Sequence, residues 1–392
     1  MRLFITRQRI VPFFVLLTLA CGGAAQTPTT KGGWLSAPEQ IARGVEFFKS
    51  GDTSLVEPAA PISVSLLRLD PARVRLTSLL SNDEVMYAEP VLEIAARAKA
   101  LAAVNAGFFN INNGEPVGLL KVAGELVSDT PIAKGAIAIW SPEDGRTTLA
   151  FDQISARVQL HFLSAGQPVA VPVDGVDTTR ARGKLMLYSP KYHAHTDTTG
   201  NGVEWLLGGE PLAVISVRRD VGSTPIPPDG LVLSYGGLDL PPALQALVPG
   251  VAVEVRHVWT SIHGLENEQL ESADHIVNGA GLLRRGGVPV TNWDVEKLSG
   301  TAFIQARHPR TIIGVDRSGF VWLAVVDGRQ ETSVGMTFVE LQRLADRLEL
   351  TDALNLDGGG SSTMVVRGKI VNRPSDASGP RAVSDALGIT VR

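Results

Sequence analysis

The segment Asn355–Ser362 contains residue types suited to chemistry on an anionic substrate. It reads Asn-Leu-Asp-Gly-Gly-Gly-Ser-Ser, and its first three residues end a strand predicted over residues 353–357. Glycines let the N–H groups of a turn converge on an anion, and the Asp357 carboxylate at the strand end would face the same concavity. The segment therefore predicts an anion-binding turn with an acid beside it.

A glycine run is also common in ordinary sharp turns, so this segment alone does not define a reaction. The sequence has no G-x-x-x-x-G-K-[ST], no G-x-G-x-x-G after a strand and no G-x-S-x-G. These absences disfavour nucleotide-binding loops and serine hydrolase chemistry.

Two arginines are candidates for contacts with the substrate anion. His308-Pro309-Arg310 precedes a predicted strand, and Arg381 closes a loop that contains Asp376. The planar guanidinium group donates two parallel hydrogen bonds to a phosphate or carboxylate. The alternative for each arginine is a surface ion pair with an acid.

Other polar residues have two interpretations each. Glu204 lies among apolar residues, where an acid can have a raised pKa and act as an acid or base, or can point from a strand to water. His193, His195 and Asp197 alternate, but a strand would spread them over ~13 Å, whereas zinc needs at least three converging ligands. We therefore predict polar loop residues there and no metal site.

Strands and short turns must position these residues. The 392 residues include 40 glycines and 24 prolines, which favours strands over a helix bundle. Apolar runs predict strands over residues 44–49, 62–69, 312–316, 320–326 and 386–391. Helices are predicted over residues 90–101 and after the capping box formed by Thr337 and Glu340. We expect one α+β domain with a mostly antiparallel or mixed sheet and few helices, in which residues 196–249 are an elaboration.

Charge and cysteine content exclude other classes of protein. The 36 basic and 40 acidic residues give a net charge of −4 without a long basic run, which excludes the electrostatic footprint of a nucleic-acid binder. The single cysteine, Cys21, excludes an internal disulfide or a zinc knuckle.

The N-terminus has the three parts of an export signal. Arg2, Arg7 and Arg9 precede an apolar run over residues 10–20, which is shorter than the ~20 residues of a membrane-spanning helix. Residues 17–22 resemble a bacterial lipobox, so we predict a signal peptide over residues 1–20 and lipidation at Cys21. One alternative is cleavage after Ala25, which would leave a periplasmic or secreted protein, and the other is an uncleaved apolar N-terminus. Residues 21–43 are predicted to be a flexible tether, and residues 44–392 the folded domain.

Several short motifs combine glycine with polar or aromatic residues along the chain. In order, they are Asn105-Ala106-Gly107-Phe108-Phe109, Gly202-Val203-Glu204, His308-Pro309-Arg310-Thr311, Ile313-Gly314-Val315-Asp316, Val326-Asp327-Gly328-Arg329, Ser333-Val334-Gly335-Met336-Thr337, Asn355–Ser362, Asn372-Arg373-Pro374-Ser375-Asp376 and Gly379-Pro380-Arg381. Taken together, these motifs resemble the phosphodiester glycosidase family over roughly residues 44–392. Two departures concern substrate identity: Ala106 follows Asn105 where the family often has glycine, and residues 277–281 replace a longer glycine cluster.

The resemblance implies an exported hydrolase that cleaves the bond between a sugar anomeric carbon and phosphate in an envelope or extracellular glycan. Positive charge develops at the anomeric carbon, and the phosphate leaving group needs fixed donors and cations. The implied catalytic residues are Asp357 and Glu204. The implied substrate contacts are Arg310, Arg381, His308, Gly358, Gly359, Gly360 and Ser361, with Asn105, Asp327 and Asp376 on the sugar hydroxyls.

Two other functions stay open at this point. One is a glycan-binding lipoprotein without catalysis, and the other is a phosphodiesterase in which acids hold a divalent cation. No cofactor is predicted. The expected partners are a phosphate-linked glycan and, through the lipid anchor only, the membrane.

Overall fold

The computed structural model describes residues 33–392 of the chain. The predicted signal peptide, Cys21 and residues 21–32 of the predicted tether lie outside the described residues. Residues 33–392 contain no helix long and apolar enough to span a membrane.

The described residues contain five short α-helices. They are Val91–Arg97 (α1), Pro242–Gln245 (α2), Asn267–Ser272 (α3), Ala302–Gln305 (α4) and Phe338–Arg347 (α5). α5 begins at the predicted capping box, because Thr337 Oγ1 accepts from the N–H of Glu340 at 3.2 Å and Glu340 Oε2 accepts from the N–H of Thr337 at 2.9 Å. α1 ends earlier than predicted, and Lys99 beyond it has a φ of 52° that a helix does not allow.

Strands make up most of the regular structure. The first fifteen are Glu39–Ala42 (β1), Val45–Ser50 (β2), Val64–Leu69 (β3), Val74–Leu80 (β4), Glu89–Pro90 (β5), Ala102–Asn105 (β6), Phe108–Phe109 (β7), Pro116–Val117 (β8), Leu120–Val122 (β9), Glu125–Ser128 (β10), Thr130–Trp140 (β11), Thr148–Ser164 (β12), Gln167–Val173 (β13), Gly175–Val176 (β14) and Leu185–Tyr188 (β15). The others are Val203–Gly208 (β16), Ala213–Arg219 (β17), Leu231–Tyr235 (β18), Val253–Ser261 (β19), His275–Asn278 (β20), Leu282–Arg285 (β21), Val288–Pro289 (β22), Arg310–Asp316 (β23), Val321–Val326 (β24), Leu350–Asn355 (β25), Met364–Val366 (β26), Lys369–Ile370 (β27), Ala382–Val383 (β28) and Asp385–Val391 (β29).

Two sheets carry the candidate site. The eight-stranded sheet has the order β1-β2-β3-β24-β23-β25-β21-β22, and a five-stranded sheet has the order β27-β26-β6-β29-β4. One core includes Leu67, Ile313 and Val325 of the first sheet and Val104 and Leu387 of the second. The opposite face of the eight-stranded sheet packs against the apolar face of α5.

The remaining large sheets form the other half of the fold. A seven-stranded sheet contains β10-β9-β20-β11-β12-β13, with β19 also paired to β12, and a second five-stranded sheet has the order β14-β15-β18-β16-β17. Their core includes Ile154, Trp205 and Leu233. The region predicted as an elaboration thus contributes three strands to a sheet that it shares with β14 and β15, within the single unit that extends from Trp34 to Arg392.

The predicted α+β fold with largely antiparallel sheets is confirmed, since every strand pair in the described residues except β14 with β15 is antiparallel. The predicted boundary at Gly44 needs a correction. Glu39–Ala42, assigned to the tether, form β1 and pair with β2 because their backbone groups complete the sheet edge. The folded part therefore begins before Gly44.

Candidate active site

Strands from the two site-bearing sheets meet at Asp357. Asn105, the last residue of β6, donates from Nδ2 to the Asp357 carbonyl at 2.7 Å. Its Oδ1 accepts from Thr311 Oγ1 at 2.7 Å and from the N–H of Thr363 at 3.1 Å. The N–H of Asp357 donates to the Ala106 carbonyl at 2.9 Å. These bonds fix the backbone on which the candidate catalytic acid is placed.

The glycine loop turns sharply directly after Asp357. The N–H of Gly358 donates to Asp357 Oδ1 at 2.8 Å, and the N–H of Gly359 donates to the Pro309 carbonyl at 2.9 Å. Gly359 has a φ of 63°, the left-handed region that favours glycine. The local sequence therefore forms the predicted turn.

An ion pair between Asp376 and Arg381 covers this loop. Arg381 donates to Asp376 Oδ2 from Nε at 2.9 Å, and both side chains remain partly exposed. A Cβ atom at Gly360 would lie 2.2 Å from Asp376 Oδ2, so only glycine allows the pair to lie so close to the loop. The structure thus brings Asp357, the three glycines, Asp376 and Arg381 together, as the sequence predicts.

Arg329 is a member of this cluster that sequence reasoning missed. It is exposed, follows β24, and has a φ of 60°, which is uncommon for a residue with a side chain. Its guanidinium group lies over Gly359, since a Cβ atom there would be 3.2 Å from the Arg329 Nη2 atom. The signal in the sequence was Gly328-Arg329, one residue beyond a strand. A glycine in that position marks a turn at the end of the strand.

His308 contacts Arg329 from the adjoining segment. Arg329 Nη2 and His308 Nδ1 are 3.2 Å apart, so Arg329 donates to the neutral imidazole. Burial and the positive charges of Arg310 and Arg329 lower the pKa of His308. His308 is thus an uncharged residue near neutral pH, beside the positive charge of Arg329.

Asp357 is the most strongly perturbed acid of the cluster. Burial raises its pKa to about 6, while the Ser361 hydroxyl, the Gly358 N–H and the Arg381 charge oppose the rise. Ser361 Oγ lies near the carboxyl but completes no hydrogen bond of normal geometry within residues 33–392. A carboxyl that titrates near pH 6 can exchange a proton with substrate or water at physiological pH.

Arg310 does not have the predicted position. It is buried, and donates from Nε to the Met336 carbonyl at 2.9 Å and from Nη2 to the Phe303 carbonyl at 2.6 Å. Its guanidinium carbon lies 4.9 Å from the ring centroids of both Phe303 and Phe338. Burial lowers its pKa to about 10. The correction is that Arg310 anchors the end of α4, because the side chain points into the core beside α5.

Glu204 also lies apart from the cluster. It is fully buried at the second position of β16, where Thr196, Thr198 and Ser234 hydroxyls donate to Oε1 at 3.0, 2.7 and 2.7 Å. Thr224 donates to Oε2 from its hydroxyl and from its N–H. The predicted catalytic role is therefore corrected: Glu204 is the centre of a hydrogen-bond network in another sheet.

Three residues predicted to contact substrate are buried beneath the site and support its loops. Asp327 is buried and accepts at Oδ1 from Asn372 Nδ2 at 2.9 Å and from the N–H of Arg373 at 3.0 Å, which fixes the loop that leads to Asp376. Asn105 and Ser361 are also fully buried. None of the three faces solvent, so the sugar-hydroxyl contacts predicted for Asn105 and Asp327, and the substrate contact predicted for Ser361, are corrected to support of the loops.

The histidines considered as metal ligands are used elsewhere. His193 Nδ1 contacts Glu84 Oε2 at 3.0 Å, and His195 forms an isolated bridge with Pro225. Residues 33–392 contain no group of three or more histidine, cysteine, aspartate or glutamate side chains placed to hold a metal ion.

Comparison with known proteins shows which family this part of the chain matches. Residues 213–390 match the phosphodiester glycosidase family. The resemblance to the phosphodiester glycosidase family is confirmed. The matched segment contains His308, Arg329, Asp357, Asp376 and Arg381, so these residues of the cluster all lie within the match.

Individual relatives are similar in sequence to this chain over part of their length. The N-acetylglucosamine-1-phosphodiester alpha-N-acetylglucosaminidase of Bos taurus is 38% identical over 102 residues, which is 24% of this chain and 19% of that protein. The curated relatives are matched over only 14 to 20% of their own length.

Solved structures extend the likeness to most of the chain. A Synechocystis protein aligns over 91% of this chain and 64% of its own with a TM-score of 0.74 and 23% identity, which shows the fold alone. A Burkholderia pseudomallei protein aligns over 84% of this chain and 74% of its own with a TM-score of 0.68 and 26% identity. The fold around the phosphodiester glycosidase segment is therefore shared beyond residues 213–390.

Proposed function

We propose that this protein is a hydrolase that cleaves the bond between a sugar anomeric carbon and phosphate in a sugar 1-phosphodiester. The observation that carries the proposal is the position of two arginines that solvent reaches, the exposed Arg329 and the partly exposed Arg381, over the glycine loop beside Asp357. The name of the Bos taurus relative, which refers to such a phosphodiester, supports the same substrate class.

The chemistry assigns each group a task. The two guanidinium groups would bind the phosphate and stabilise its developing charge as it leaves. The Asp357 carboxylate would remove a proton from the water that attacks the anomeric carbon. The oxygen of that water becomes the sugar hydroxyl, and the C–O bond electrons leave with the phosphate monoester.

Asp376 controls how Arg381 meets the phosphate. Its carboxylate holds the Arg381 guanidinium through the bond from Nε, so the orientation of the arginine is fixed before substrate binds. A fixed donor loses less conformational entropy on binding than a free side chain does. Asp376 therefore acts in the proposal as a support for the cation, and it is exposed enough to reach a sugar hydroxyl as well.

The proposed setting is the cell envelope. An export signal over residues 1–20 and a lipid at Cys21 would hold the enzyme at a membrane surface, where phosphate-linked glycans are the polymers first encountered. Mass spectrometry of the mature N-terminus tests this part alone. A lipidated Cys21 supports it, and an unmodified N-terminus at Gln26 contradicts it.

One isotope experiment tests the reaction. The full chain is incubated in ¹⁸O water with a panel of sugar 1-(methyl phosphate) diesters, with and without a chelator, and products are identified by mass. Labelled free sugar that forms regardless of chelator supports the proposal. Label in the phosphate, with loss of turnover in chelator, would instead indicate attack on phosphorus with a metal, and binding without turnover would indicate a glycan-binding protein.

A further inference from the structure

Asp385 is a second buried acid, and neither the sequence motifs nor the proposed reaction uses it. It is the first residue of β29 and is fully buried. The Gly107 N–H lies 3.1 Å from each of its carboxylate oxygens, and Ser384 Oγ donates to Oδ1 at 2.7 Å. No basic side chain of residues 33–392 forms an ion pair with it. A carboxylate buried without a cation is costly, so its presence needs a reason.

Two consecutive residues link Asp385 to Asp357. The Ala106 carbonyl accepts from the N–H of Asp357 at 2.9 Å, and the N–H of Ala106 donates to the Asp385 carbonyl at 3.3 Å. Gly107 then donates to the Asp385 carboxylate. A Cβ atom at Gly107 would lie 2.9 Å from Asp385 Oδ1, so glycine is what allows this approach. The turn that supports Asp357 is thus built on Asp385.

The charges around Asp357 act in opposite directions. Arg381 favours its ionised form, and the Asp385 carboxylate disfavours it and raises its pKa. Burial raises the pKa of Asp385 itself, while the Ser384 hydroxyl and the Gly107 N–H hold it down. Arg97, on the helix packed against the same sheet, is paired with Asp83 and Glu89 instead. Asp385 is therefore a like charge that acts on the carboxyl of the candidate base.

We infer that Asp385 is a positioning residue for Asp357, because it anchors the Ala106–Gly107 turn that holds Asp357. By like-charge repulsion it also sets the lowest pH at which Asp357 can act as the base. The inference rests on the proposed function, because it assigns Asp357 as the base of that reaction. No covalent step involves Asp385, which stays buried throughout.

The test compares Asp385→Asn with a matched control, Asp352→Asn. Asp352 lies on β25, the strand that leads to Asp357, and accepts from the N–H of Gly286 at 3.0 Å, so its variant makes the same charge change away from the site. The Asp357 carboxyl is followed by NMR in protein labelled with ¹³C aspartate, and Asp357→Asn assigns the signal. We expect its titration midpoint to move in D385N from about 6 toward the ordinary value of 3.8, and to stay in D352N.

Activity provides a second measurement of the same quantity. The acid limb of the kcat/KM profile is expected to move down in D385N with the NMR midpoint, while KM above that limb stays within about twofold. An unchanged Asp357 midpoint in folded D385N overturns the inference. If the parent protein has no turnover, the proposed reaction fails, but the NMR titration still decides whether Asp385 controls Asp357.

A milder variant covers the case in which D385N does not fold. Ser384→Ala keeps the carboxyl and removes one donor, so Asp385 holds its proton to higher pH and repels Asp357 less. The Asp357 midpoint is then expected to fall by a smaller amount. A midpoint equal to that of the parent in folded S384A also contradicts the inference.

Discussion

The Asn105 side chain donates a hydrogen bond of 2.7 Å to the backbone carbonyl of Asp357. Asn105 ends β6 and Asp357 follows β25, so this bond joins the two sheets at the point where the glycine loop begins. The same side chain accepts from Thr311 at the start of β23. The position of the candidate base is therefore set by fully buried residues.

Asn105→Asp is expected to reduce turnover although the residue is buried. The variant keeps the shape but replaces the donor with an oxygen that repels the Asp357 carbonyl. Displacement of a catalytic group by about 1 Å can lower turnover about 10²-fold. Steady-state kinetics measure the loss, and circular dichroism confirms folding. Thr311→Val, which removes only a donor to Asn105, is the milder control, and equal turnover in N105D and the parent would contradict the role.

Asp357→Asn is expected to lower turnover about 10² to 10⁴-fold, the usual effect of removing a positioned acid or base. Asparagine preserves the acceptor for the Gly358 N–H but cannot take a proton from water. Single-turnover measurements on the sugar 1-phosphodiester check this, with D352N as the control for loss of one acid. Unchanged turnover in folded D357N would remove Asp357 from the mechanism.

Turnover is expected to rise with pH through about 6, the raised pKa of Asp357. The reason is that a base must be ionised, and below that pH the buried carboxyl holds its proton. The measurement is kcat/KM between pH 4 and 8. In D357N the residual activity should lose this limb, and a profile that falls as pH rises through 6 would instead make Asp357 a general acid.

Arg329→Gln and Arg381→Gln are each expected to raise KM for the phosphodiester about 10 to 100-fold. A hydrogen bond to a charged group is worth about 1.5–3 kcal/mol, and glutamine removes the charge. Competition by inorganic phosphate reports the same loss without turnover. Arg317→Gln, at an exposed position in the hairpin between β23 and β24, is the charge-matched control.

Arg310→Gln tests whether this buried arginine, unlike Arg381, contributes to stability rather than to substrate binding. Its guanidinium group satisfies the carbonyls of Met336, Phe303 and Ala306, so the variant should lower the unfolding temperature. KM should change less than in R381Q. A KM effect equal to that of R381Q, without loss of stability, would restore the anion contact predicted from the sequence.

Local signals explain what the sequence predicts well. The capping box at Thr337 and the three glycines after Asp357 determine their own backbone, so α5 and the loop follow from short stretches of sequence. Arg310 shows the limit of such reasoning. Arg310 and Thr311 are neighbours on β23 whose side chains point to opposite faces, and the sequence does not say which face meets the site.

Long-range partners explain the other differences. The hydroxyls around Glu204 come from Thr196, Thr224 and Ser234, which only the assembled sheet brings together. Asp385 follows Ser384 with no glycine or aromatic residue beside it, and its partner Gly107 is distant in the sequence. An acid in an apolar run therefore indicates a buried carboxylate, but its partners decide whether it is structural or chemical.

Glu204→Gln is expected to lower stability rather than catalysis. The carboxylate accepts from four hydroxyl groups, and Arg180 Nη1 lies 3.8 Å from Oε1. The glutamine amide cannot accept at one of these positions, and each buried donor left unpaired costs about 1–3 kcal/mol. Urea unfolding should show a lower midpoint than Glu254→Gln, the same change at an exposed ion pair on β19, where little loss of stability is expected. Turnover of the folded E204Q protein should equal that of the parent. The reason is that Glu204 lies in a different sheet from β25, the strand that leads to Asp357. Normal stability combined with a loss of turnover would return Glu204 to the catalytic role that its sequence context suggests.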